Sequence, residues 1–256
     1  SRSGTKSKPL QKLAGKSRGE CWCIRPPVQP NGARAILVSS TKSRYNRSMT
    51  MTQEQRWTAL WQRLGAQGDA NAVYDNLIAR YSEPHRAYHT LEHIGHCLDE
   101  FEQVRNLATN PDAVELALWY HDAIYDTKAK DSEERSAALV VEAVRNVSLS
   151  DNFGQLVANL IIATKHTAAP TDPDVQLLVD IDLSILGQTG DKFDEYERQV
   201  RKEYEWVAED AFVAGRSSIL KSFLDRTTIY STRFFFNKYE VQARRNIAKS
   251  LARLRV

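Results

Sequence analysis

Six histidines and several acids in the middle of the chain carry the types and spacing that chemistry needs. His89 and His93 frame the segment Tyr88-His89-Thr90-Leu91-Glu92-His93, His121 and Asp122 are adjacent, His166 follows, and Asp180 and Asp182 stand two apart. Imidazoles and carboxylates together make the ligand set of a borderline or hard divalent ion. His121-Asp122 follows the apolar run Ala117-Leu118-Trp119-Tyr120, which should bury the end of its helix. Polar groups placed there need partners, and a metal ion satisfies both.

The elements that must position these residues read as helices. Trp57, Leu60, Trp61 and Leu64 fall at i, i+3, i+4, i+7, and Gly65 stops that face. Val73, Leu77, Ile78 and Tyr81 repeat the spacing up to Ser82-Glu83-Pro84, and Leu91, Ile94, Leu98 and Phe101 mark a third helix. Asn110-Pro111 opens a fourth through Tyr120, since proline is favoured at the first helical position. Asp131 with Glu134 resembles a capping box for a fifth. A sixth is predicted over about 151–165, and Asp172-Pro173 starts a seventh that runs to Leu186 before Gly187. Three more are predicted over about 191–207, 209–225 and 237–255. Phe234-Phe235-Phe236 is the one strand-like patch. The expected fold is all-α, a single helical bundle of about ten helices over residues 52–256.

Composition agrees. Apolar residues are 42% and charged residues 26% of the 256, the balance of a globular chain. Eleven glycines and eight prolines are too few for a turn-rich sandwich or barrel. No two glycines have the G-x-G spacing of a dinucleotide-binding loop, and no apolar run of 18 residues predicts a membrane span. Residues 1–48 hold eleven Lys/Arg against the single acid Glu20, whereas the rest holds 24 basic and 31 acidic residues. The basic excess therefore belongs to that segment, and the folded part gives no reason to expect nucleic acid as a partner. The segment has no hydrophobic period and is expected to be a disordered tail: a targeting peptide, or sequence upstream of the true start. Glu20 and Pro26-Pro27, which spoil an amphipathic helix, favour the second. Three cysteines are too few for a disulfide framework and fit a reducing compartment, hence a cytoplasmic protein, or an organellar one if the tail is a transit peptide.

The order His…His-Asp…Asp on successive helices resembles the HD-domain superfamily of metal-dependent phosphohydrolases, over about residues 53–255. It is most similar to a small bacterial-type group of predicted phosphohydrolases. The segments that carry the likeness run from Tyr88 to His93, His121 to Asp126, Glu133 to Ala137 and Asp180 to Gly187. The resemblance implies that His93, His121, Asp122 and Asp182 ligate a divalent ion, of Mn, Co, Ni, Zn, Fe or Mg type. It favours Asp182 over Asp180. His89-Thr90-Leu91-Glu92-His93 also looks like the His-x-x-x-His of cyclic-nucleotide phosphodiesterases, which implies His89 as general acid; a structural hydrogen bond at a helix start is the alternative.

Other assignments follow from position. His166 is expected at the substrate or behind a metal ligand, with a second-metal ligand and a helix C-terminal cap as alternatives. Asp126 stands four residues after Asp122 and is a candidate base if that helix continues, or else a turn residue. Lys165 and Arg86 lie near these motifs and are expected to neutralise phosphate. Arg201-Lys202-Glu203-Tyr204 reads as a solvated charge run. The expected function is a metal-dependent phosphohydrolase, in which metal-activated water attacks a phosphate ester such as a nucleotide or another small phosphorylated metabolite. Two other readings are a non-catalytic metal-containing ligand-binding or regulatory module and a di-iron HD-type oxygenase, the latter wanting more histidines than the chain offers.

Overall fold

A computed structural model describes residues 51–166 and 170–254. The expectations about residues 1–48 lie outside the described residues. Among these there are ten α-helices and no strand: α1 Gln53–Leu64, α2 Ala70–Tyr81, α3 Leu91–Val104, α4 Pro111–Tyr120, α5 Ser132–Asn146, α6 Asp151–Ile162, α7 Pro173–Asp182, α8 Gly190–Glu203, α9 Glu209–Leu224 and α10 Arg233–Arg253. The all-α bundle expected from the spacing is what forms.

Boundaries differ where local chemistry overrides the apolar period. The sixth and seventh helices tighten into 3-10 turns at Ala163–Lys165 and Leu183–Gly187. α8 ends four residues before the predicted 207, and α10 begins four residues before the predicted 237. The strand-like Phe234-Phe235-Phe236 forms the first turn of α10 instead, because the Thr232 side chain caps the Phe235 amide. Asp131 precedes α5 as predicted but its side chain makes no capping bond.

α4 is the central helix, buried from Ala113 to Tyr120. Trp57 of α1 and Tyr74 of α2 meet Trp119 edge to face at 5.5 and 6.0 Å between ring centroids, and the Tyr81 hydroxyl donates to the Trp119 carbonyl at 2.9 Å. Burying such rings supplies a large share of the hydrophobic stabilisation. α5 and α6 pack as an antiparallel pair against α4, and α10 packs on α9 and on the 183–187 turn. Gly187 is required in that turn, since a Cβ there would stand 2.4 Å from Cβ of Tyr239.

One knot sets the level of the site. The buried Asp174 carboxylate, in the first turn of α7, accepts from the backbone amides of Thr109 and Asn110 at 2.7 and 2.8 Å and from the Asn110 side chain at 3.0 Å. α4 and α7 thus start together, pack together and are each ten residues long. A helix rises 1.5 Å per residue, so their ends coincide about 15 Å further on. His121-Asp122 and Asp182 stand at those ends.

Candidate metal centre

The four residues expected as ligands converge. His121 caps the C-terminus of α4, Asp122 follows it, Asp182 closes α7, and His93 comes from the first turn of α3. Nε2 of His93 and Nε2 of His121 lie 3.1 Å apart. Asp122 Oδ2 is 3.5 Å from the first and 3.1 Å from the second, and Asp182 Oδ1 is 3.3 and 3.6 Å from them. Donors that share one ion at about 2.0–2.2 Å stand roughly 3.0–3.6 Å apart, so this set fits a divalent cation. Both imidazoles are buried, at 3% and 1% exposure. His121 donates Nδ1–H to the Leu118 carbonyl at 3.0 Å, which fixes the tautomer and leaves the Nε2 lone pair facing the cluster.

Electrostatics agree with a site built for positive charge. Burial alone would raise the two carboxyls, yet His121 and its neighbours hold Asp122 and Asp182 below the usual range. Against burial, which would lower it, Asp122 and Asp182 hold the His121 imidazole well above its ordinary value. Asp122 Oδ2 is buried with no hydrogen-bond partner among the described residues. A buried carboxylate oxygen without a donor is costly unless a cation takes it.

Cys97 is a rival for this position. Its sulfur belongs with His93, His121 and Asp182 in a group whose ligand atoms lie within 4.8 Å of one another. It stands 3.7 Å from both ring nitrogens of His93. Burial and the nearby carboxylates push the thiol pKa well up. Asp122 Oδ2, 3.5 and 3.1 Å from Nε2 of His93 and of His121, is the other donor within reach of both imidazoles.

His89 sits just before α3 and is organised by Glu203, the last residue of α8. Glu203 Oε1 accepts from the amides of Ala87, Tyr88 and His89 at 2.8, 2.8 and 2.9 Å, and Oε2 accepts from His89 Nδ1 at 2.7 Å and the Tyr125 hydroxyl at 2.9 Å. Burial opposes ionisation of Glu203, but the bonds from His89 and these amides pull it down to about 2. Burial likewise lowers His89, yet Asp122 and Glu203 overcome it and hold the imidazole above its ordinary pKa. Sequence reading missed Glu203 by placing it on a solvated face. A signal was present: Phe193, Tyr196, Val200 and Glu203 share one helical face, an acid on an apolar stripe.

The remaining expected residues scatter. His166 Nε2 bonds Asp182 Oδ2 at 2.9 Å and so supports a ligand from outside, while its backbone caps the 163–165 turn in the left-handed region. Asp180 is elsewhere, accepting from Ser231 and Thr232 at the N-terminus of α10. Arg86 corrects its expected role. Its side chain is fully buried and spends its N–H groups on Glu83 and on the carbonyls of His89, Asp122 and Ala123, bracing the backbone behind the site and facing no cleft. Lys165 lines the cleft beside the centre but is paired with Glu134. Asp126 is exposed at the same cleft; α4 stops at Tyr120, so it does not share a helical face with Asp122, and it accepts the Lys128 amide in a tight turn.

The cleft has a volume of about 690 Å³ and is lined by Asp122, Asp182, His89 and His166 among others. That lies within the range of small-molecule sites. Three buried polar atoms that lack partners among the described residues border it: Tyr88 Oη, Asp122 Oδ2 and His166 Nδ1. Among the described residues no helix is long and apolar enough to cross a membrane. A helical chain with a His-rich, carboxylate-bearing cluster able to hold a metal is compatible with the HD-type fold. Comparison with protein-family models, with curated proteins and with solved structures finds no match.

Proposed function

We propose that this protein is a metal-dependent phosphohydrolase acting on a small phosphate ester. The observation that carries the reading is one convergence: Nε2 of His93 and of His121 lie 3.1 Å apart and each within 3.6 Å of an oxygen of Asp122 and of Asp182, two carboxylates that line an open cleft together with His89. His93, His121, Asp122 and Asp182 would hold the ion. When bound, a divalent ion acidifies coordinated water and offsets the charge that develops on phosphoryl oxygens.

The chain's own residues supply the rest. His89 engages Glu203 through Nδ1, which leaves Nε2 for the cleft. Asp122 and Glu203 raise the imidazole pKa against burial, and a proton on Nε2 would be placed to pass to the departing ester oxygen. Glu203 fixes both the ring's orientation and the loop before α3. His166 restrains Asp182 through its outer oxygen, so the inner one stays aimed at His93 and His121. Arg86 ties the His89 and Asp122 backbones together, which holds acid and ligand at a constant separation.

A purely structural metal site has no use for a histidine held by Glu203 on the lining of a cleft, and this favours catalysis. The test is a panel of phosphomonoesters and phosphodiesters, nucleotides among them, assayed with Mn²⁺, Co²⁺, Ni²⁺, Zn²⁺, Fe²⁺ and Mg²⁺. Release of phosphate or alcohol with at least one ion, abolished by a chelator, is expected. No turnover of any ester with any ion would refute the reading.

A further inference from the structure

Among the described residues, two cations on the cleft lining have no carboxylate partner, Lys130 and Arg226. A divalent ion held by Asp122 and Asp182 would be neutralised by those two carboxylates, and His89 is paired with Glu203. Lys165 is held by Glu134 and Arg216 by Glu197. Lys130, also on the cleft lining, is exposed to solvent.

Arg226 differs from all of these. It lies between α9 and α10, lines the cleft and is half-buried. Among the described residues its guanidinium makes one hydrogen bond, from Nη2 to the His166 carbonyl at 2.8 Å, and it rests over the Phe223 ring at 4.7 Å. Its backbone carbonyl is pinned by Arg244 Nη2 at 2.8 Å. Burial lowers its pKa with no carboxylate opposing the shift. A half-buried charge left without a counter-ion is unfavourable unless a ligand provides one. His166 joins this arginine to the metal centre: its carbonyl takes Arg226, and its Nε2 takes Asp182 at 2.9 Å.

We propose that Arg226 binds the substrate's phosphate and makes the centre select a phosphomonoester over a phosphodiester. The inference rests on the phosphohydrolase reading. Its chemistry is the match between a guanidinium fork and two phosphate oxygens. A terminal phosphate has three non-bridging oxygens, enough to present two to the fork and one to the ion, whereas a diester has only two. A monoester also carries nearly two negative charges near neutrality, because its second pKa is about 6, and so gains more from an extra cation.

The experiment compares metal-loaded wild type with Arg226→Gln and Arg226→Lys. Inorganic phosphate binding is measured by calorimetry, and steady-state rates are measured on nitrophenyl phosphate and on bis(nitrophenyl) phosphate. Metal content and melting temperature should stay unchanged in both variants. Phosphate affinity should fall at least about 10-fold in Arg226→Gln, the usual worth of a charged hydrogen bond, and less in Arg226→Lys. KM for the monoester should rise in parallel while the diester changes little. Equal phosphate affinity in wild type and Arg226→Gln, or no binding to either, overturns the assignment. Equal losses on both esters overturn the selectivity. Should Arg226→Gln fail to fold, Arg226→Lys, which keeps the charge and loses the fork, decides by the same comparison. If phosphate binding falls in the variant but wild type turns over neither ester, Arg226 stands as an anion site and the hydrolase reading fails.

Discussion

Glu203 and His89, 114 residues apart in sequence, form a pair in which the carboxylate takes the imidazole Nδ1–H at 2.7 Å and the His89 amide at 2.9 Å. Ring and backbone are both gripped, so the histidine has one orientation and one nitrogen, Nε2, left over. His89→Ala should retain metal and lose about 10²–10⁴-fold in turnover of an ester with a poor leaving group. A nitrophenyl ester, whose leaving oxygen needs little protonation, should lose far less. Equal losses on both would move His89 from proton transfer to substrate positioning.

Glu203→Gln preserves shape and the three backbone amides while removing the charge opposite His89. We expect the variant to fold and to bind metal, with a loss on the poor leaving group about 10-fold or more and little change on the nitrophenyl ester. Leaving-group dependence identical to wild type would mean that Glu203 only braces the loop.

Asp122 and Cys97 compete for the fourth ligand position, and metal content separates them. Asp122→Ala should abolish stoichiometric binding, since it removes a charge that holds the ion. Cys97→Ala should retain the metal and cost about 1–2 kcal/mol for the lost packing against His93. Loss of metal on removing the thiol, with retention on removing the carboxylate, would reverse the assignment.

His96 gives the fold an acid-sensitive element. Its Nε2 meets the Ser184 hydroxyl at 2.8 Å, and burial, reinforced by His93, lowers its pKa to about 4. In the unfolded chain an unperturbed histidine takes a proton near 6.5. Between pH 6.5 and 4 the unfolded state therefore binds more protons, and stability falls as the pH drops through that window. The full shift corresponds to about 3–4 kcal/mol, an upper bound for a partly exposed ring. Urea titrations of wild type and His96→Gln should show the variant with a flatter decline over this range. Parallel declines would contradict the assignment.

What the sequence made legible was what local spacing controls. The period of 3.6, the proline that follows Asn110 and the cap at Asp172 place α4 and α7, and those two helices place three of the four candidate ligands. The convergence itself depends on Asp174 reaching back to Thr109 and Asn110, a contact across more than sixty residues that no local pattern announces. Arg86 misled because closeness in sequence to His89 says nothing of direction: its guanidinium points inward to three carbonyls. Glu203 was hidden by its basic neighbours, and only its register with Phe193 and Val200 reveals the buried face. Arg226 belongs to a loop without period, where tertiary packing alone brings it to His166.

The most direct test is to strip the protein with a chelator, return Mn²⁺ stepwise, and follow bound metal and nitrophenyl phosphate hydrolysis in the same samples. Activity should rise in proportion to bound ion and level off near about one ion per chain, with Asp122→Ala and Asp182→Ala inert in both readouts. Full hydrolysis by the stripped protein, or metal uptake untouched by either substitution, would contradict the account.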